Sequence, residues 1–317
     1  MHMSDALVSV PVALVADAVA VGLLALSIRG IHRQKELSIP LMGVLGAFIF
    51  AAQMINFAIP GTGSSGHIIG GILLASMLGA WGGFFALTSV VVLQCLLFAD
   101  GGLLALGCNV VNMAGFSCLV AYPLIFRPLY GEGSSSARVM LASILASVAA
   151  FSMAAVAVCL ETTLSEITVL SLGRMMLFML PIHIVIGVCE GIATAVVILI
   201  VRRRDPELFR HDVVQPSRFR TIEAFAVVAL ILAASFTLLA SSNPDGLEWS
   251  VERAKLGEIE SPTTAWHSSA EEVISSTALM PDYNTVLAGV IGCALLIFVA
   301  WVASLLIKDR GNGAKSG

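Results

Sequence analysis

Charged residues are scarce in this sequence. Of its 317 residues only 12% are Asp, Glu, Lys or Arg, about half the share that is typical of a soluble domain. Hydrophobic residues make up 58% of the chain, and its mean hydropathy is +0.95. This composition argues against a soluble protein and against a nucleic-acid partner. It indicates an all-α polytopic membrane protein in contact with the lipid bilayer.

Several motifs that carry chemistry are also absent. There is no G-x-x-x-x-G-K-[ST], so the chain is not expected to hydrolyse ATP itself. There is no H-E-x-x-H, which argues against an intramembrane metalloenzyme that uses His183 and Glu190. The six cysteines lie in apolar stretches without a C-x-x-C pair, and we expect buried thiols rather than disulfides. No basic segment precedes the first apolar run, so the N-terminus is expected to be retained.

Long hydrophobic runs, in contrast, are abundant. A helix needs about 20 apolar residues to cross a bilayer, and the candidate spans are 7–28, 39–58, 67–79, 82–99, 103–126, 137–160, 173–201, 221–240 and 284–307. The third run is short, and 67–99 could instead be one kinked helix. With nine spans, 14 of the 17 Lys and Arg residues fall on one side of the membrane. The positive-inside rule then places the N-terminus outside and the C-terminus in the cytoplasm.

The spans fall into two blocks. Residues 1–204 hold seven spans, 205–220 form a basic cytoplasmic linker, and 221–317 hold two spans that flank an outer loop, 241–283. That loop is rich in Asp and Glu. It either concentrates cations at the outer face or is simply a solvated loop.

The first two residues, Met1 and His2, are a ready chelate for a transition metal. The α-amine of Met1, the amide nitrogen of His2 and the His2 imidazole can bind one ion in a five-membered and a six-membered ring. Three nitrogens in one plane leave a fourth corner open. Four nitrogens in a square favour Ni(II) or Cu(II) over Zn, Mg or Ca.

A second histidine, His67, ends a Gly- and Ser-rich stretch, 60–67. Its glycines allow the loop to fold back closely, and the nine-span topology puts His67 on the same outer face as His2. His67 is therefore a candidate for the fourth ligand. The alternative is an ordinary turn with a polar cap.

Polar side chains inside the apolar runs are further candidates. Asn109 and Asn112 share one helix face, as do Gln53 and Asn56. They either bridge helices, which we favour, or surround the metal. His183 and Glu190 lie two turns apart on one face. With Asp17 they suggest a proton relay, but an interior hydrogen-bonded pair is the favoured interpretation.

Together these motifs resemble the NikM/CbiM family, the substrate-specific membrane subunits of nickel and cobalt energy-coupling factor (ECF) transporters. The similarity covers most of residues 1–200. The segment 244–248, with the sequence PDGLE, is similar to the signature of the NikN accessory segment. The residues that carry the resemblance are Met1-His2, Asp5, 53–57, 63–67, Gln94, 99–102, 106–107, Asn109, Asn112, Pro181, His183, Gly187 and 190–191.

The resemblance implies an S-component bundle of seven transmembrane helices, followed by two more. It implies metal ligation by Met1, His2 and His67, with Asp5, Ser65, Asn109, Asn112, His183 and Glu190 as residues that surround the site. It also implies partners, namely a membrane coupling subunit of the T/Q type and cytoplasmic ABC ATPases. Within this family the sequence favours Ni(II) over Co(II) as the transported ion. A stand-alone secondary transporter is the remaining alternative, but the internal repeats typical of that class are not evident.

Overall fold

The computed structural model describes residues 2–33, 39–131, 133–167, 171–209, 219–235, 240–254, 264–281 and 286–313. Within these ranges the chain is mostly helical. The helices are α1 Val10–Arg33, α2 Ile39–Gln53, α3 Gly71–Phe98, α4 Leu106–Leu129, α5 Ser136–Ser165, α6 Leu172–Arg204, α7 Phe219–Ser235, α8 Gly246–Ala254, α9 Ala265–Thr277 and α10 Val286–Gly313. Short 3₁₀ turns cover Asp5–Leu7 and Pro206–Phe209.

Five of these helices (α1, α3, α4, α5 and α6) are long and apolar enough to cross a membrane. Shorter apolar helices cover Ile39–Gln53, Thr221–Ala234 and Val286–Trp301. The chain is therefore a multi-pass membrane protein. The division into seven plus two spans and the orientation of the termini stay predictions.

The chain reverses direction inside α3, at Gly79. This residue has φ 74° and ψ 168°, a conformation that is readily available only to glycine. Beyond it, Gly83 packs so closely on the preceding turn that a Cβ at position 83 would lie 2.7 Å from the backbone nitrogen of Ala75. A straight helix would hold residues eight apart about 12 Å from each other. The stretch therefore folds back on itself near Gly79.

A small β-hairpin stands where the sequence predicted a Gly- and Ser-rich loop. Strand β1, Phe57–Ile59, pairs antiparallel with β2, Ser64–Gly66. The turn between them contains Gly61 and Gly63, both at positive φ, where a side chain would be strained. The hairpin positions His67, which follows directly on β2.

The C-terminal helices pack on the N-terminal bundle through α2. Phe225 of α7 packs edge-on against Phe48 of α2, with their ring centres 5.2 Å apart. The Sγ of Cys293 in α10 donates to the carbonyl of Ala47 over 3.4 Å. Helix α1, in contrast, presents Leu14 and Val15 outward, as a lipid-facing helix does.

Candidate metal centre

The side chains of His2 and His67 meet at one end of the bundle. Their rings stack with centres 5.4 Å apart and planes inclined by 16°. Only 5% of the His2 side chain and 7% of His67 are exposed. A metal–imidazole bond is about 2 Å long and lies in the plane of the ring, so the distance between the ring centres fits one ion shared by in-plane nitrogens of both rings.

Both imidazoles are held in the neutral form that metal binding needs. Burial lowers the pKa of His2 to about 3 and the pKa of His67 to about 3, because a charged ring loses its hydration there. At neutral pH neither ring has to lose a proton before it can bind an ion. The carboxylate of Asp100 lies beside the His2 ring. Asp100 Oδ1 lies 3.3 Å from Nδ1 of His2, and burial raises the pKa of Asp100.

Hydrogen bonds fix the position of the N-terminal segment against residues 102–109. The side chain of Asn109 accepts a hydrogen bond from Met3 N–H over 2.7 Å and donates one to Met3 O over 3.0 Å. The same carbonyl accepts from Gly102 N–H at 2.9 Å. The carboxylate of Asp5 accepts from the N–H groups of Leu103 and Ala105 at 3.1 and 2.9 Å. These contacts fix how far the first residues reach into the site.

Two buried glutamines connect the His2 ring with helices α3 and α2. Gln94 of α3 accepts from the His2 ring, whose Nε2 lies 3.2 Å from Gln94 Oε1. Gln94 in turn donates to Gln53 of α2 over 2.7 Å, and Gln53 donates to the carbonyl of Ile69 over 2.8 Å. Gln53 thus bridges helices, as expected, and also belongs to the surroundings of His2.

Glu190 holds the segment that follows His67. Its carboxylate accepts from the backbone N–H groups of Ile69, at 2.6 Å, and Gly70, at 3.1 Å. The peptide of Ile69 is thus fixed on one side by α6 and on the other by Gln53. Glu190 positions the His67 segment without touching the imidazole pair.

The turn before α8 covers the hairpin that carries His67. The backbone N–H of Ser65 donates to Pro244 O over 2.8 Å, and its hydroxyl donates to Asn243 O over 2.8 Å. One helical turn further on, Trp249 Nε1 donates to Thr62 O over 3.0 Å. Ser65 is thus the point at which residues 243–245 attach to the hairpin, and its place beside the metal stays a prediction.

Asp245 lies at the centre of this turn. Its carboxylate accepts from the N–H groups of Leu247 and Glu248, both at 2.8 Å, and so caps the first turn of α8. Burial raises the pKa of Asp245, but nearby positive charge and the hydrogen bonds that its carboxylate accepts together outweigh this effect and leave the pKa below its usual range. At least part of the acidic outer loop is therefore built into the site rather than solvated.

The remaining predicted site residues are Met1, Asn112 and His183, and His183 lies so close to Gly246 that a Cβ there would be 3.4 Å from its Nε2. Met1 is outside the part of the chain that the structure describes. Asn112 donates to Glu161 of α5 over 2.8 Å and bridges helices. His183 Nδ1 lies 2.7 Å from Met179 O, and its Nε2 is buried without a hydrogen-bond partner. His183 and Glu190 therefore form neither the expected pair nor a relay with Asp17, which instead accepts from Gly107 N–H.

Sequence reasoning did not assign Gln94, Asp100 and Asp245 individual roles. All three lie in the motifs that carry the family resemblance, and this is the signal that points to them. Among the described residues, no three His, Cys, Asp or Glu side chains are placed to hold a metal ion. Further ligands beyond the imidazole pair would therefore have to come from other groups, such as backbone nitrogens.

Comparison with known families decides the classification. The family model CbiM, cobalt uptake substrate-specific transmembrane region, matches residues 2–208. The PDGLE domain model matches residues 219–309. The chain belongs to the CbiM family and carries a fused PDGLE domain.

Relatives of this CbiM–PDGLE chain include nickel and cobalt transport proteins. A protein of Archaeoglobus fulgidus assigned as a fused nickel transport protein, NikMN, is 30% identical over 94% of this chain and 96% of its own length. The fused nickel transport protein NikMN of Rhodobacter capsulatus is 28% identical over 80% and 76%. The cobalt transport protein CbiM of Geobacter sulfurreducens is 28% identical over 66% and 61%.

The fold has a counterpart among solved structures. The crystal structure of a transition metal transporter is 30% identical in sequence and superimposes with a TM-score of 0.56 over 67% of this chain and 96% of that one. About two thirds of the chain thus has a structural precedent, and this precedent is a transition metal transporter.

Proposed function

We propose that this CbiM–PDGLE chain is the substrate-binding membrane subunit of an ATP-driven, ECF-type nickel uptake transporter. The observation that supports the proposal most is the stacked, buried pair of His2 and His67. Asn109 also fixes the backbone of Met3, the residue that follows His2.

The proposed ligands are the Met1 amine, the His2 amide nitrogen, one ring nitrogen of His2 and one of His67. This set of four nitrogens favours a square-planar arrangement. Such an arrangement suits Ni(II) better than Zn, which prefers tetrahedral sites, or Mg and Ca, which prefer octahedral oxygen sites. The transported ion is the substrate, and it binds at the face of the membrane that we expect to be outside.

The proposed partners are a membrane coupling subunit and cytoplasmic ABC ATPases, since the chain has no phosphate-binding loop of its own. A chain assigned as a fused cobalt transport protein CbiMQ is among the relatives. Uptake of nickel that requires co-expressed partners would support this proposal. Uptake driven by an ion gradient with this chain alone would favour a secondary transporter instead.

The first test is metal analysis of the purified chain with a native, untagged N-terminus, loaded with nickel and cobalt in competition. We expect about one nickel per chain and the yellow d–d band of a square-planar site. An alanine inserted between Met1 and His2 should abolish both, although every side chain remains. An alanine added after Gly317 is the matched control and should change neither.

The outcomes separate the alternatives. Preferential loading with cobalt would keep the site and change the substrate. Normal nickel binding by the chain with the N-terminal insertion would contradict ligation by the N-terminal amine and amide.

A further inference from the structure

A line of hydrogen bonds runs from the His2 ring to a backbone carbonyl. It passes from His2 Nε2 through the side-chain amides of Gln94 and Gln53 to Ile69 O, with lengths of 3.2, 2.7 and 2.8 Å. Both glutamine side chains are buried, at 0% and 2% exposure. The line therefore connects helices α3 and α2 with the segment behind His67.

The end of this line fixes the direction of every bond in it. A carbonyl oxygen can only accept, so Gln53 must present its NH₂ group to Ile69 and its oxygen to Gln94. Gln94 must then donate to Gln53 and present its own oxygen to His2. An amide oxygen is also only an acceptor, so the hydrogen in the last bond has to come from His2 Nε2.

A neutral imidazole carries one N–H, and the other nitrogen keeps its lone pair. With the hydrogen on Nε2, the lone pair of His2 is on Nδ1. Nδ1 is the nitrogen that closes a six-membered ring with the backbone amide, whereas Nε2 is on the far side of the ring. The opposite tautomer would place a hydrogen where the ion has to bind.

His67 is set in the opposite sense. Its Nδ1 lies 3.0 Å from the carbonyl of Ile68, and since that oxygen only accepts, Nδ1 carries the hydrogen. The lone pair of His67 is then on Nε2. A backbone carbonyl thus fixes the hydrogen of His67 on Nδ1, whereas Gln94 fixes the hydrogen of His2 on Nε2.

The carboxylate of Asp100 favours the opposite tautomer of His2. Its Oδ1 is 3.3 Å from Nδ1 of His2, and a carboxylate in that position favours a hydrogen on Nδ1. Reversal of both amides would accommodate that tautomer, but the oxygens of Gln53 and Ile69 would then face each other in a buried site, which is unfavourable.

We propose that Gln53 and Gln94 are positioning residues that hold His2 in its Nε2–H tautomer and so keep Nδ1 ready for the metal ion. The inference rests on the proposed function for the ion and for its ligation by His2, whereas the tautomer itself does not depend on it. Gln53 acts entirely through Gln94, one side chain removed from the ring.

The test is ¹⁵N NMR of the metal-free, histidine-labelled chain, untagged and in detergent micelles. The chemical shifts of the two ring nitrogens distinguish the N–H from the bare nitrogen, and His2→Gln assigns the His2 signals. We expect Nε2–H in the unmodified chain. Nδ1–H there would overturn the proposal, and this measurement needs no folded variant.

Three substitutions sharpen the test. Gln94→Leu removes the acceptor and should move the hydrogen to Nδ1, with nickel affinity 10- to 100-fold lower. Gln94→Glu keeps an acceptor-only group against Nε2 and should retain the original tautomer. Ser89→Ala, on the same helix but bonded to Phe85 O, is the matched control and should leave tautomer and affinity unchanged.

Retention of Nε2–H in Gln94→Leu would overturn the proposal. The tautomer is read without metal, so it is independent of the nickel measurement. Failure of the unmodified chain to bind nickel, together with the expected tautomers, would contradict the proposed function and still support the role of the glutamines.

Discussion

The backbone N–H of Ser65 donates to the carbonyl of Pro244 over 2.8 Å, although the two residues are 179 positions apart. The PDGLE segment is thus hydrogen-bonded to the strand that leads into His67. A fused PDGLE domain is therefore in direct contact with the proposed metal site rather than attached to the membrane beside it.

Trp249 gives a way to test this contact. Trp249→Phe keeps an aromatic ring but removes the hydrogen bond from Nε1 to Thr62 O. A typical hydrogen bond contributes about 1 kcal/mol, so nickel should dissociate about fivefold faster as the cover loosens. Stopped-flow transfer of nickel to a chelator measures the rate.

Trp266→Phe is the matched control, because Trp266 is 62% exposed. It should leave the dissociation rate unchanged. Equal rates for Trp249→Phe and the unmodified chain would mean that the bond to Thr62 does not restrain metal release.

Asn109 and Asn112 lie one turn apart on α4 and should respond differently to substitution. Asn109→Leu removes both hydrogen bonds to the backbone of Met3, and nickel affinity should fall about 10- to 100-fold. Asn112→Leu removes the bond to Glu161 and should lower thermal stability instead, by about 1–3 kcal/mol.

Isothermal titration with nickel and a thermal unfolding series on both variants separate the two effects. Normal nickel binding by Asn109→Leu would mean that the hydrogen bonds between Asn109 and Met3 do not position the proposed N-terminal ligands.

The two interior histidines should also differ. His67→Ala removes a proposed ligand and should weaken nickel binding by at least tenfold. His183→Ala should change it only a few-fold, because the His183 ring is hydrogen-bonded to Met179 O and packs against Phe151. Complete loss of nickel in a folded His183→Ala variant would instead place the site on α6.

Gly83 tests the reversal inside α3. A Cβ at this position would lie 2.7 Å from Ala75 N, a backbone atom that cannot move aside cheaply. Gly83→Ala should destabilise the chain by about 1–3 kcal/mol, seen as a lower melting temperature in detergent. Gly22→Ala is the control, since nothing lies within 4 Å of a Cβ there. Equal melting temperatures would contradict the close approach.

Two features of the site can be predicted from the sequence. One depends only on adjacent residues, and the other depends on the positive-inside rule. The chelating start is read from two adjacent residues. The approach of His67 to the N-terminus is predicted from the proposed nine spans and from the distribution of Lys and Arg, and the number of spans stays a prediction. The stacked rings agree with that expectation, whereas the roles of Met1, His2 and His67 as ligands stay predictions.

The remaining features depend on long-range contacts that no local pattern encodes. Nothing near Ser65 indicates that its partner is Pro244, and polar spacing in α2 cannot distinguish a helix bridge from a support for His2. Gln53 serves as both. The pairing predicted for His183 and Glu190 failed because a shared helix face does not determine which neighbour each side chain meets.

Helix α6 connects a cluster of arginines with the segment that follows His67. It is about 50 Å long at 1.5 Å per residue, and it ends in Arg202, Arg203 and Arg204. About 21 Å before that end, Glu190 holds the peptide of Ile69, two residues from His67. A tilt imposed at the arginine end must therefore either carry the His67 segment with it or break hydrogen bonds in a buried site. The three arginines are thus linked through one continuous helix to the backbone beside His67.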